Sequence, residues 1–167
     1  MAVWSLGRLP SGFNMVQDFQ LRMVLEDAMA EQLPRMTDRR AMSHFLHGLG
    51  FLNITYSSLP DPLRVELLAC VERGARGLTR SLPDAYGVIA GLSGIGLTKS
   101  ELSDDAAHVL FTVVHQMLAE PETFRFMDKF ATNVFGAEGY AAARQASKKK
   151  PHDRTAAAST SEDDIYL

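Results

Sequence analysis

Apolar residues recur at helical spacing along most of the chain. Ala41, Phe45, Leu49 and Leu52 share one face and predict a helix over about 38–50. Leu63, Leu67, Val71 and Ala75 follow at a four-residue spacing and predict a second over about 61–77. The pattern resumes with Ile89, Leu92 and Ile95 over about 83–94, then with Ala106, Leu110, Val113 and Met117 over about 104–119. Weaker periodicity places one helix upstream at about 16–33 and another from Pro121 to about 134. Asp61 is the expected N-cap of the second helix, with Pro62 in its first turn. Ser103 or Asp104 is expected to cap the helix over 104–119, and Gly94 or Gly96 to stop the one before it. No segment alternates as a strand does.

The pattern is also a repeat. Gly48–Leu68 aligns with Gly91–Phe111 at a fixed offset of 43, without a gap. Leu49 meets Leu92, Leu52 meets Ile95, Ile54 meets Leu97 and Thr55 meets Thr98. Ser57 meets Ser100, Leu59 meets Leu102, Asp61 meets Asp104 and Leu67 meets Leu110. A fainter copy lies upstream, where VWSLGRL resembles FLHGLGFL and MVLEDAMAEQLPRMT resembles VELLACVERGARGLT. A further copy opens at Pro121. The fold class expected is all-α: an α-solenoid of stacked antiparallel helix pairs, about three repeats of 42–43 residues. The helical-repeat domain is placed at 1–140, with a flexible polar tail at 141–167. The first copy starts inside its first helix. That reads either as a piece of a longer polypeptide or as a raw end docked on a partner.

One stretch resembles a nucleotide site. VIAGLSGIGLTKSEL, residues 88–102, spaces Gly91 and Gly96 as a phosphate loop does, but Lys99 and Ser100 come two residues late. A phosphate loop also needs a strand before its glycines. Here a helical pattern precedes them, and the sister stretch HGLGFLNITYSSL has no Lys. The glycines belong to the repeat, where small residues let neighbouring helices approach closely.

Charge narrows the function classes. The net charge is −3, against a typical nucleic-acid binder, but its distribution is uneven. Residues 34–80 carry a net +3, and residues 81–140 a net −5. Arg39 and Arg40 open one helix, and Arg76 and Arg80 lie in the connection to the next. In a stacked array such helix ends align along one edge, so these four arginines are the first candidates for a basic ridge that contacts phosphate. Lys99 and the run Lys148, Lys149 and Lys150 are the second, the run acting as an arm toward a polyanion.

Catalytic and metal chemistry find little support. The lone Cys70 sits in an apolar helical pattern and reads as a small core residue. His44 and His47 share a face without a zinc-spaced partner. Asp104, Asp105 and His108 group only as first-turn residues that complement a helix dipole. No nucleophile motif, catalytic carboxylate pair or dinucleotide fingerprint appears. The chain is expected to be no enzyme, to hold no cofactor or metal and to take no small-molecule substrate. No apolar run reaches 18 residues, so no membrane span is expected.

VWSLGRL, FLHGLGFL and VIAGLSGIGL share the rhythm L-x-x-L-x-x-[L/I]-G, followed by a polar linker and an amphipathic second helix. This resembles the organellar helical-repeat proteins of octotricopeptide and heptatricopeptide type, and the related repeats of FAST-kinase-type and RAP-domain proteins. The resemblance covers residues 2–135. It implies mitochondrial or plastid residence and a role in RNA handling. The expected function is a non-catalytic mitochondrial ribosome component that binds ribosomal RNA and neighbouring proteins. The alternative is an armadillo- or HEAT-like protein–protein scaffold in a respiratory or trafficking complex without RNA contact.

Overall fold

The computed structural model describes residues 19–120 and 122–148, with side chains described for 20–120 and 122–145. Six helices pack on one another, and no strand occurs among the described residues. They are α1 (Phe19–Gln32), α2 (Arg39–Phe51), α3 (Asp61–Ala75), α4 (Leu82–Ile95), α5 (Asp104–Leu118) and α6 (Met127–Lys148). Short 3-10 turns at Leu33–Arg35, Tyr56–Ser58, Leu78–Arg80 and Lys99–Glu101 punctuate the connections.

The sequence repeat is a repeat of local structure. Helix α2 ends when Asn53 turns left-handed (φ 55°), and α4 when Gly96 does (φ 71°). In each case two hydrogen bonds close the end. Ile54 N–H donates to Leu49 O (3.1 Å) and Asn53 N–H to Gly50 O (3.1 Å). Leu97 N–H donates to Leu92 O (3.0 Å) and Gly96 N–H to Ser93 O (3.3 Å). This is the Schellman arrangement, with the outer apolar pair Leu97 and Leu92 fully buried. The turns Tyr56–Ser58 and Lys99–Glu101 and the helix starts Asp61 and Asp104 keep the offset of 43.

Starts are capped where side chains allow. Asp38 accepts from Ala41 N–H (2.8 Å) and Ser103 from Ala106 N–H (3.3 Å). Asp61 departs from expectation. Pro60 is the N-cap and Asp61 is already helical, its carboxylate paired with Arg64. A second departure lies at the C-terminal end. The residues after Leu118 turn twice, so α6 begins at Met127 instead of Pro121, which lies outside the described residues. Helix α6 then bends at Gly136 (φ 75°, ψ 170°) and runs to Lys148. Its second half covers the start of the polar stretch placed from Ala141, and Ala143 is buried.

The most extensive helix–helix contact joins α2 to α4. A Cβ on Gly91 would lie 2.5 Å from Leu46 Cβ and 2.8 Å from His47 N. One on Gly94 would lie 3.1 Å from Gly50 Cα, and one on Gly87 would fall on Ser43 Oγ. The pairs 43/87, 46–47/91 and 50/94 advance together, so α2 and α4 run parallel with backbones nearly touching. Helix α6 continues the sense. Tyr86 meets Phe130 edge-on (centroids 5.8 Å apart), and Asn133 Nδ2 donates to Ser93 Oγ (2.8 Å). Helix α3 returns antiparallel to α2, its Gly74 lying against the Met42 side chain. Helix α3 also packs on α1 and α5. Leu46, Leu49, Leu67, Leu92, Leu97 and Leu110 lie fully buried in the resulting core. Each such side chain is worth about 1.5–3 kcal/mol on removal from water.

Candidate nucleic-acid interface

Parallel stacking brings the starts of α2, α4 and α6 to one end of the molecule. Arg39 opens α2, held there by the Asp38 cap. Its Nε donates to Asp84 Oδ2 in the first turn of α4 (3.0 Å). Its stem lies beside the α3–α4 turn, since a Cβ on Gly77 would come within 3.9 Å of Arg39 Cδ. Arg39 therefore ties two helix starts together and is partly neutralised. Arg40, Arg76 and Arg80 are exposed and make no ion pair with another described residue. The candidate edge thus consists of three exposed guanidinium groups and a fourth committed to a carboxylate.

Lys99 is not part of this edge. It lies beyond the C-terminus of α4, a helix of 14 residues, so about 20 Å of helix separates it from the arginines. There it follows Thr98, whose capping box with Glu101 shapes the turn. The Thr98 hydroxyl bond holds the Glu101 carboxyl below its usual range. Lys148 closes α6, and Lys149 and Lys150 lie outside the described residues.

The sequence pattern did not single out the α5–α6 connection, which reaches the arginine end. Two residues after Asp84, Tyr86 donates its hydroxyl to Arg125 O (2.6 Å). Arg125 and Lys129 are exposed beside Phe126. Arg125 stands two repeat lengths after Arg39, a signal available in the sequence. The left-handed backbone of Phe126 (φ 66°) left no trace there.

Other chemistry is sparse. No cluster of three or more His, Cys, Asp or Glu side chains fit to hold a metal occurs among the described residues. Burial, reinforced by the charge of His44, lowers the His47 pKa below its ordinary value, and its ring stacks on Phe51 (centroids 4.8 Å apart). Cys70 is buried. Desolvation pushes its thiol up to about 11, leaving it protonated and a poor nucleophile at neutral pH. A cleft between α1 and the α2–α3 connection is lined by Leu25, Met29, Ile54 and Leu59. Its polar pair, Arg22 and Glu26, is already satisfied (2.7 Å). Among the described residues no helix is long and apolar enough to cross a membrane.

No protein-family model, curated protein or solved structure matches this chain.

Proposed function

We propose that this chain is a non-catalytic α-solenoid subunit of an organellar ribonucleoprotein, binding RNA phosphates along the arginine-bearing end of its parallel helices. The observation that carries the reading is the placement of exposed Arg40, Arg76 and Arg80 at one end, with Arg39 bridging α2 and α4. The repeated caps, repeated 3-10 turns and in-register stacking of α2, α4 and α6 support the solenoid part. Mitochondrial residence and a place in the mitochondrial ribosome beside ribosomal RNA and protein neighbours rest on the repeat resemblance. They belong to the proposal.

Guanidinium–phosphate contact has a salt signature. Three arginines neutralising single-stranded phosphates give a slope of about −2 in log affinity against log salt. Triple substitution of Arg40, Arg76 and Arg80 to Glu is expected to abolish RNA crosslinking. Unchanged crosslinking would sink the reading. The alternative, an armadillo- or HEAT-like scaffold, is favoured by one observation: Met23 and Val24 on α1 and Val65 on α3 are exposed apolar residues. That reading predicts partner binding nearly indifferent to salt and RNA-free copurification.

A further inference from the structure

Phe126 combines two features that oppose ordinary folding. Its ring is 70% exposed, and its backbone is left-handed at φ 66°, a conformation that side-chain-bearing residues avoid. Neither burial nor helix formation accounts for a phenylalanine there. A glycine would relieve the backbone, and a polar residue would suit the solvent.

The surroundings hold this residue in place. Phe124 is buried and packs on Tyr86 (centroids 5.9 Å apart), and Tyr86 also meets Phe130 at 5.8 Å. The Tyr86 hydroxyl anchors Arg125 O, Met127 N–H donates to Phe124 O (3.3 Å), and Phe130 N–H donates to Phe126 O (3.1 Å). The residues on either side are fixed, and the ring between them points outward. Arg125 and Lys129 flank it, along with Glu120, Glu122 and Asp128, all exposed. The net charge of this turn is therefore slightly negative. Positive charge comes from exposed Arg40, Arg76 and Arg80 at the same end of the molecule, which the Arg39–Asp84 pair joins to α4 two residues before Tyr86.

We infer that Phe126 is a stacking platform for an unpaired base of single-stranded RNA whose phosphates run along Arg40, Arg76 and Arg80. The inference rests on the RNA reading above and adds the chemistry that distinguishes single strands from duplexes. A duplex hides its base faces, whereas a single strand offers a π-face to an exposed ring. A ring carried on a backbone that its neighbours hold gives up less freedom on stacking than one on a mobile segment. Tyr86 is a positioning residue, acting through the Arg125 carbonyl.

The test uses the full chain and a short oligouridine RNA carrying one 2-aminopurine, titrated at fixed salt. Stacking on wild-type protein is expected to quench the fluorophore. Phe126→Ala should weaken affinity about 5- to 150-fold and abolish the quench, while Phe126→Trp retains both. Phe126→Gly separates function from folding, because it should raise the melting temperature while weakening binding to the same degree. Tyr86→Phe should reduce the quench more than the affinity. If wild type and Phe126→Ala bind alike while Arg40, Arg76 and Arg80 to Glu abolishes binding, the stacking inference falls and the phosphate reading stands. If the wild-type protein binds no RNA in low salt, both fall.

Discussion

Replacing Gly91 with alanine tests the close backbone approach of α2 and α4. The added Cβ would sit 2.5 Å from Leu46 Cβ, 2.6 Å from Leu46 C and 2.8 Å from His47 N. Carbon atoms rest at about 3.5–4.0 Å, so α2 and α4 must separate by about 1 Å. Two of the three opposing atoms are backbone, and no rotamer change removes them. Overpacking of this kind costs about 1–3 kcal/mol, and two stiff helices put it at the upper end. Alanine returns about 1 kcal/mol of helix propensity. The net loss is about 2 kcal/mol, a fall of about 1 M in the urea midpoint for a domain of this size. Far-UV circular dichroism during urea titration measures it. Gly77→Ala is the control, because its Cβ meets nothing closer than 3.6 Å, and its midpoint should hold or rise slightly. A Gly91→Ala midpoint equal to or above wild type would refute the close parallel packing of α2 on α4.

The two left-handed helix ends predict opposite responses in thermal melts: Asn53→Gly should stabilise by a few tenths to about 1 kcal/mol, and Gly96→Ala should destabilise by about 1 kcal/mol. Equal responses at both positions would contradict the caps. Cys70 predicts an alkaline slope. Its folded thiol titrates near 11, above the ordinary value of 9.0, so between those pH values the unfolded chain has released a proton that the folded chain keeps. Stability is full below about pH 9 and falls as pH rises toward 11, by an order of about 2 kcal/mol. Comparing wild type with Cys70→Ala across pH 8–11 isolates this part, and parallel curves would show the thiol to be solvated. A thiol reagent at pH 7 should label Cys70 only on unfolding.

Local rules carried the sequence reading furthest. The offset of 43 and the helices of the two clear repeats depend on a few neighbouring residues and are legible; the cap and the stop are legible to within two candidates each, of which the backbone selects Ser103 over Asp104 and Gly96 over Gly94. Asp61 lies one step past the cap position the pattern predicts, because a cap and a first-turn acid satisfy the same compositional rule. Only the backbone of Pro60 distinguishes them. Helix α6 starts later than the pattern predicts for a longer-range reason. Phe124 is drawn inward against Tyr86, 38 residues earlier, and that contact holds the chain in turns until Met127.

Sequence alone determined that the chain is helical and repeating, because apolar spacing and turn chemistry act within a few residues. It also assigned the glycines of VIAGLSGIGL to the repeat, where Gly91 and Gly94 pack on α2 and Gly96 ends α4. Tertiary structure decided which faces met. Parallel stacking of α2, α4 and α6 gathered Arg39, Arg40, Arg76 and Arg80 at one end, brought Arg125 and Phe126 there, and left Lys99 at the other. A linear pattern gives the spacing of charges along one helix. Their grouping across helices depends on the register in which backbones touch, set here by the missing side chains of Gly50, Gly91 and Gly94.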